Sequence, residues 1–125
     1  MELKKNIIQE RAFKFSLNII NLYKVLKKNN EYSIGNQILR SVTSIGANVE
    51  EAIAAQSKKD FLSKIRISLK EARETRYWLR LLDESKLIDC DYSEFLKEIF
   101  EIISILSKIV KTTSENLNAK RLFFI

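Results

Sequence analysis

The chain has 125 residues, of which 46% are hydrophobic and 30% are charged, and its formal net charge is +6. This length and balance indicate one globular domain, residues 1–125, and exclude an intrinsically disordered chain. Two glycines, no proline, no histidine and one cysteine argue against hairpin-rich folds, an internal disulfide and the usual zinc sites.

The first two predicted helices follow from apolar periodicity. The first extends from about Ile8 to Lys28, with apolar residues recurring every three or four positions. Ser33 is the predicted N-cap of the second helix, which continues to about Gln56. Gly46 lies inside this helix, where it costs about 1 kcal/mol relative to alanine, so we expect a neighbouring helix to approach closely there.

Two further helices complete the pattern. Ser57 with Asp60 predicts a capped helix that ends near Ser85, and a short connection follows. Asp91 with Glu94 predicts the cap of the fourth helix. Since short connections favour antiparallel neighbours, the predicted fold is all-α, an antiparallel up-down-up-down four-helix bundle.

Apolar residues outside the predicted core indicate self-association. Phe13, Leu17 and Ile20 widen the apolar face of the first helix, and a second apolar row on the fourth consists of Leu96, Phe100, Ile103 and Val110. The terminal residues 122–125 are all large and apolar, which predicts folding back, disorder or a contact with another subunit. No apolar run approaches the ~18 residues of a membrane span, so we expect a cytoplasmic protein without a membrane partner.

A polar network is predicted between the second and third helices. Asn48 and Glu51 lie in a polar seam beside the apolar stripe of the second helix, and Arg76 falls on the apolar face of the third. Because a lone buried charge costs several kcal/mol, we expect Arg76 to pair with Glu51, with Asn48 bonded nearby. Such a network would either fix helix register or line a binding pocket.

The third helix also carries a basic ridge about 30 Å long. Its members are Lys59, Arg66, Lys70, Arg73, Tyr77 and Arg80. Arginine and lysine side chains suit phosphate contacts and a tyrosine ring suits base stacking, so the ridge predicts binding of RNA or DNA. Residues 1–30 and 57–86 carry net charges of +5 and +4, against −2 and −1 for 31–56 and 87–125. Complementary charges between subunits explain this asymmetry equally well.

Nothing in the sequence predicts catalysis or a cofactor. There is no histidine for acid–base chemistry and no glycine-rich phosphate loop. The carboxylates of Glu50 and Glu51 are adjacent, so they face in different directions on a helix. Cys90, close to a turn, is interpreted as an ordinary thiol. We therefore expect a protein that is not an enzyme.

Longer motifs resemble a known family. They are QILRS at 37–41, SIGANVEEA at 44–52, KDF at 59–61, SLKEA at 68–72 and YWL at 77–79. Together they resemble the bacterial four-helix-bundle proteins encoded in intervening sequences of large-subunit ribosomal RNA genes. The likeness is strongest from Gln37 to Leu82 and weak after Ser85.

The resemblance implies an antiparallel four-helix bundle that is commonly a homopentamer with a central channel. The chain is also similar to the accessory protein of diversity-generating retroelements, a basic pentamer that binds nucleic acid and a reverse transcriptase. Asn48 and Glu51 match the family pattern, whereas Ala52 stands where a glycine is usual. The expected function is a nucleic-acid-binding accessory protein; the alternative is an oligomeric scaffold or adaptor without nucleic-acid affinity.

Overall fold

The structure, a computed structural model, describes the backbone of residues 2–124 and the side chains of residues 7–119. This part of the chain forms four helices and no strand. The helices are α1 (Glu2–Lys28), α2 (Ser33–Ile53), α3 (Lys58–Ser85) and α4 (Ser93–Phe124). The all-α prediction is confirmed. The large apolar side chains of residues 122–125 lie outside the described side chains, so what they contact stays a prediction.

The starts of α2 and α3 test the predicted caps. The hydroxyl of Ser57 accepts a hydrogen bond from the backbone N–H of Asp60 at 3.0 Å, so the cap of α3 is confirmed. Ser33 is instead the first helical residue of α2 and not its cap. The carboxylate of Glu31 accepts from the N–H of Ile34 at 3.1 Å, because its longer side chain reaches the free donor from further upstream.

The start of α4 and the end of α2 differ slightly from the predicted bounds. The Asp91 carboxylate accepts from both the backbone N–H and the hydroxyl of Ser93, at 3.0 and 2.7 Å. Asp91 therefore stabilises the turn just before α4, which begins one residue later than a cap at Asp91 predicts. Helix α2 ends at Ile53, three residues short of the predicted Gln56, since the chain must turn before the Ser57 cap.

Hydrogen bonds and ion pairs between helices show the relative directions of neighbouring helices. Between α1 and α2 they join Gln9 with Glu50, Ser16 with Val42 and Tyr23 with Asn36. Between α2 and α3 they join Glu51 with Lys64, Ile45 with Ser68 and Ser41 with Thr75. In both sets one number rises as the other falls, so these neighbours are antiparallel. Because α4 packs on both α1 and α3, the four helices enclose one core.

The predicted inner faces form that core. Its buried side chains include Ile8, Ala12, Phe15, Ile19, Leu22 and Leu26 of α1, Ile38, Val42, Ile45, Val49 and Ala52 of α2, Ile65, Leu69, Ala72 and Leu79 of α3, and Ile99, Ile102 and Leu106 of α4. The second rows are covered unevenly, because Leu96, Ile103 and Val110 pack against the core and Ile20 is half-buried. Phe13 is 65% exposed, Leu17 49% and Phe100 61%, so each leaves apolar area open to solvent.

Gly46 is expected to be replaceable. A Cβ atom there would lie 3.8 Å from Ser16 Oγ and 4.0 Å from Ala12 Cβ, which is ordinary contact. Helix α1 is thus nearby but leaves room for a methyl group. We expect Gly46→Ala to raise the free energy of unfolding by about 1 kcal/mol, because an interior glycine weakens a helix by that amount.

Urea unfolding would measure this gain, and Ala47→Gly at the adjacent exposed position is the matched reverse substitution. It should lower the free energy of unfolding by about 1 kcal/mol. A loss of stability in Gly46→Ala would mean that α1 packs more closely on α2 than the structure shows.

Candidate nucleic-acid interface

The six residues of the basic ridge lie on the exposed side of α3. Lys59, Arg66, Lys70, Arg73, Tyr77 and Arg80 are all exposed, while the opposite side of the helix packs into the core. The heptad spacing of four of them keeps them nearly in line along the helix. The predicted surface therefore exists as a continuous feature, and its affinity for nucleic acid stays a prediction.

Ion pairing distinguishes the ridge cations from one another. Arg80 Nε lies 3.3 Å from a Glu84 carboxylate oxygen one helical turn later. Among the side chains of residues 7–119, none of the other four cations has an ion-pair partner within 4.0 Å. Lys59, Arg66, Lys70 and Arg73 are thus the ridge charges that remain open to a phosphate.

A cluster beside the ridge neutralises two of the acidic residues of α3, Glu71 and Glu74. Arg40 of α2 contacts the carboxylate of Glu71 at 3.2 Å and also binds the carboxylate of Glu74. The indole N–H of Trp78 donates to Glu74 at 3.0 Å. These contacts keep both carboxylates next to α2, so they do not pair with the ridge cations.

The same contacts shift the titration of the cluster. The hydrogen bond from Trp78, together with that from Arg40, lowers the pKa of Glu74 from its ordinary value of 4.5. The hydrogen bond to Glu74 raises the pKa of Arg40 further above its usual range. Both shifts favour the ionised pair at neutral pH.

The lowered pKa of Glu74 predicts an acid-dependent contribution to stability. A carboxylate with a depressed folded pKa stabilises the protein above its unfolded pKa, and this stabilisation is lost as pH falls through the folded pKa. We expect Glu74→Gln to lose less stability than the wild type between pH 7 and pH values below 4.5. Urea midpoints at the two pH values measure the effect.

The matched control for this substitution is Glu84→Gln, an exposed carboxylate on the same helix that leaves the Arg40 contacts intact. It should retain the acid sensitivity that Glu74→Gln loses. Equal acid sensitivity in Glu74→Gln and the wild type would rule out a linked contribution from Glu74.

The predicted network of Asn48, Glu51 and Arg76 is wrong. Arg76 is exposed, and Glu51 pairs with Lys64 at 3.2 Å instead. The side-chain amide of Asn48 donates within its own helix, to the carbonyl and hydroxyl oxygens of Ser44 at 2.8 and 3.1 Å. The polar seam of α2 does face α3, but without Arg76.

Arg76 is exposed because the inner face of α3 is not centred where its apolar residues alone would place it. Its apolar residues alone indicate a direction close to Arg76. The buried face also includes Ser68, Glu71 and Thr75, which turn its centre toward α2. At ~100° per residue, Arg76 lies about 140° around the helix from Glu71, on the flank away from α2. Its long side chain reaches water from there.

Hydroxyl groups occupy the position that Arg76 was predicted to fill. The hydroxyls of Ser41 and Thr75 lie 2.8 Å apart and are both fully buried. Ser68 donates to the backbone carbonyl of Ile45 at 2.9 Å, which joins the same two helices. Each of these three buried hydroxyls thus has a hydrogen-bond partner, which offsets the cost of burying it.

The described residues also form cavities away from the ridge. A cavity of about 510 Å³ lies at the end of the bundle near the connection between α2 and α3. Its walls are largely apolar and include Ile7, Phe61, Ile105 and Ile109. No member of the basic ridge lines it, so it is separate from the candidate interface.

No metal centre or membrane span is found within the described part of the chain. No group of three or more acidic, cysteine or histidine residues there could hold a metal ion. Cys90 is half-buried, and burial raises the pKa of its thiol, assisted by Asp91 and Asp89. No helix in this part is sufficiently long and apolar to cross a bilayer.

Comparison with known proteins found a family match and a similar solved structure. Residues 4–108 match the family described as 23S rRNA-intervening sequence protein. A solved structure from Bacteroides thetaiotaomicron is 43% identical, with a TM-score of 0.81, and the match covers 86% of this chain and 98% of that one. It is described as a protein of unknown function from the S23 ribosomal protein family. A search of curated proteins found no match.

Proposed function

The chain belongs to the 23S rRNA-intervening sequence protein family, and we propose that it is a non-enzymatic, oligomeric accessory protein that binds nucleic acid through the basic ridge of α3. The observation that carries the proposal is the set of four exposed cations without ion-pair partners among the described side chains. Cations that were needed only to balance charge within the fold would face carboxylates. These four face solvent on one side of one helix.

The arrangement of acidic residues supports the same proposal. Glu71 and Glu74, the α3 carboxylates nearest the middle of the ridge, are held by Arg40 on the side toward α2. A polyanion approaching the ridge therefore meets uncompensated positive charge. Phosphate binding of this kind is sequence-independent and releases counterions. The ridge charges suit the phosphates of RNA and of DNA alike.

Self-association is the second part of the proposal. Phe13 and Leu17 lie on successive turns of α1 and are both substantially exposed, as is Phe100 of α4. Large apolar side chains at such positions favour burial against another subunit. The family resemblance suggests a homopentamer, in which the ridge would occur five times around a ring, once in each protomer. Repetition raises the affinity for a long polyanion without any new contact.

The second candidate function is a scaffold or adaptor, and the same apolar side chains favour it. Phe13, Leu17 and Phe100 would serve docking of a different protein, such as a reverse transcriptase, equally well. In that case the ridge charges would serve assembly or partner docking only.

Fluorescence anisotropy with labelled single-stranded RNA and duplex DNA, titrated across salt, tests the proposal. Four cations that each neutralise one phosphate predict a log–log salt slope per protomer of about −2.8 for the single strand and about −3.6 for the duplex. Light scattering on the same sample should give about 73 kDa for a pentamer, five times the 14.6 kDa chain. A well-formed oligomer that binds neither probe at low salt would contradict nucleic-acid binding and favour the scaffold.

A further inference from the structure

An aromatic pair lies within the basic ridge. Tyr77 is 54% exposed, although it belongs to a residue type that is usually more covered. Its ring meets that of Trp78 edge to face, with the centroids 5.2 Å apart and the planes at 69°. Arg73 precedes Tyr77 by one helical turn and Lys70 by two, about 6 and 10 Å along the axis. Tyr77 thus presents an aromatic ring beside two cations that have no ion-pair partner among the side chains of residues 7–119.

Contacts across two helices hold this pair in place. The indole N–H of Trp78 donates to Glu74 at 3.0 Å, and Glu74 in turn binds Arg40 of α2. Arg40 also pairs with Glu71 at 3.2 Å. Trp78 is therefore anchored on its polar side, and Tyr77 packs against an anchored ring. An aromatic group held before binding loses little conformational entropy when a ligand stacks on it.

We propose that Tyr77 is a stacking platform for an unpaired base, so that the ridge binds single-stranded nucleic acid in preference to duplex. This inference rests on the proposed function. In a duplex both faces of each base are covered by neighbouring base pairs, and a side chain can stack only if a step is opened. In a single strand the base faces are accessible to an aromatic ring while cations follow the phosphates. RNA and DNA strands share this chemistry.

Tyrosine substitutions that leave the charge unchanged test the platform. We expect Tyr77→Leu to weaken binding of a 20-nucleotide single strand about tenfold, while binding of the matching duplex stays within about twofold. Tyr77→Phe keeps the ring and should bind the single strand within about twofold of the wild type. RNA and DNA versions of one sequence, measured in parallel, show which sugar the site accepts.

Trp78 supplies an independent readout, because it is the only tryptophan of the chain. Unlabelled single strand should change its fluorescence through the adjacent Tyr77, and Tyr77→Leu should reduce that change. Circular dichroism and thermal melting check that each variant is folded. Since Tyr77 is exposed, we expect the melting temperature to stay close to that of the wild type.

The outcomes separate the platform from the proposed function. If the wild type binds both probes and Tyr77→Leu weakens both equally, or neither, the stacking platform is wrong while nucleic-acid binding holds. A preference for duplex would also overturn it. If the wild type binds neither probe, the proposed function itself fails. Arg66→Ala removes one ridge cation and should weaken the binding of both probes to a similar degree. It thereby measures the electrostatic contribution to the affinity.

Discussion

Reversing the charge of Arg66 and Arg73 to glutamate is expected to weaken nucleic-acid binding about 100-fold at low salt. Both side chains are exposed, and neither has an ion-pair partner among the described residues. The double variant removes two phosphate contacts and adds two repulsive charges on the same face. It should also make the log–log salt slope less steep by about two. Anisotropy titrations at several salt concentrations measure both quantities.

The control for this variant changes net charge equally but elsewhere. Lys97 and Lys111 are exposed on α4, and Lys97→Glu with Lys111→Glu alters the charge by the same amount. We expect this control to weaken binding only slightly, through the overall field of the protein. If both double variants lose affinity equally, net charge and not the ridge attracts the nucleic acid.

Replacing Phe15 by alanine is expected to lower the free energy of unfolding by about 4 kcal/mol. The Phe15 ring is 1% exposed and lies in the core between the four helices. Its removal loses apolar burial and leaves a cavity that the surrounding helices can fill only in part. For a domain whose whole stability is of the order of 5–15 kcal/mol, that is a large fraction. Chemical denaturation and thermal melting both report it.

Phe13→Ala is the matched control, two residues away on the same helix but 65% exposed. Its effect on the folding of the chain itself should be within about 0.5 kcal/mol. Should Phe13 lie in a subunit contact, its substitution would lower stability in a way that depends on protein concentration. The loss from Phe15→Ala should not depend on concentration. Equal, concentration-independent losses would contradict the assignment of Phe15 to the core.

Much of the fold was predictable because helices are specified by local patterns. The three- and four-residue spacing of Phe15, Ile45, Ile65 and Ile102 with their neighbours identified the inner face of each helix, and all four are buried. The Ser57 cap was predictable because it needs only a hydroxyl three residues before a free N–H. Such features depend on residues less than two turns apart.

The basic ridge belongs to the same class of prediction. A seven-residue spacing places Arg66 and Arg73 almost in line on any α-helix, whatever that helix packs against. Their exposure on α3 agrees with this spacing. Even the pairing of Arg80 with Glu84, which partly neutralises one end of the ridge, lies within one helical turn.

The polar contacts between helices depended on the tertiary structure. Thr75 and Arg76 differ by one position, or ~100° around the helix, and the apolar pattern alone favoured the wrong one. Arg40 bonds with Glu71 and Glu74 across more than 30 positions of sequence, which no local pattern encodes.

The sequence by itself therefore determined the helices, their apolar faces and the line of ridge cations. Only the packing of α2 on α3 decided that Arg40 anchors Trp78 through Glu74, and that Glu74 faces Arg40 and not the ridge cations beside Tyr77. The physical reason is that an apolar helix face can be buried against any apolar neighbour, so the side of the helix on which it lies is all that the sequence must specify. A buried or bridging polar group needs one partner at hydrogen-bond distance, and that partner is set by how two helices meet.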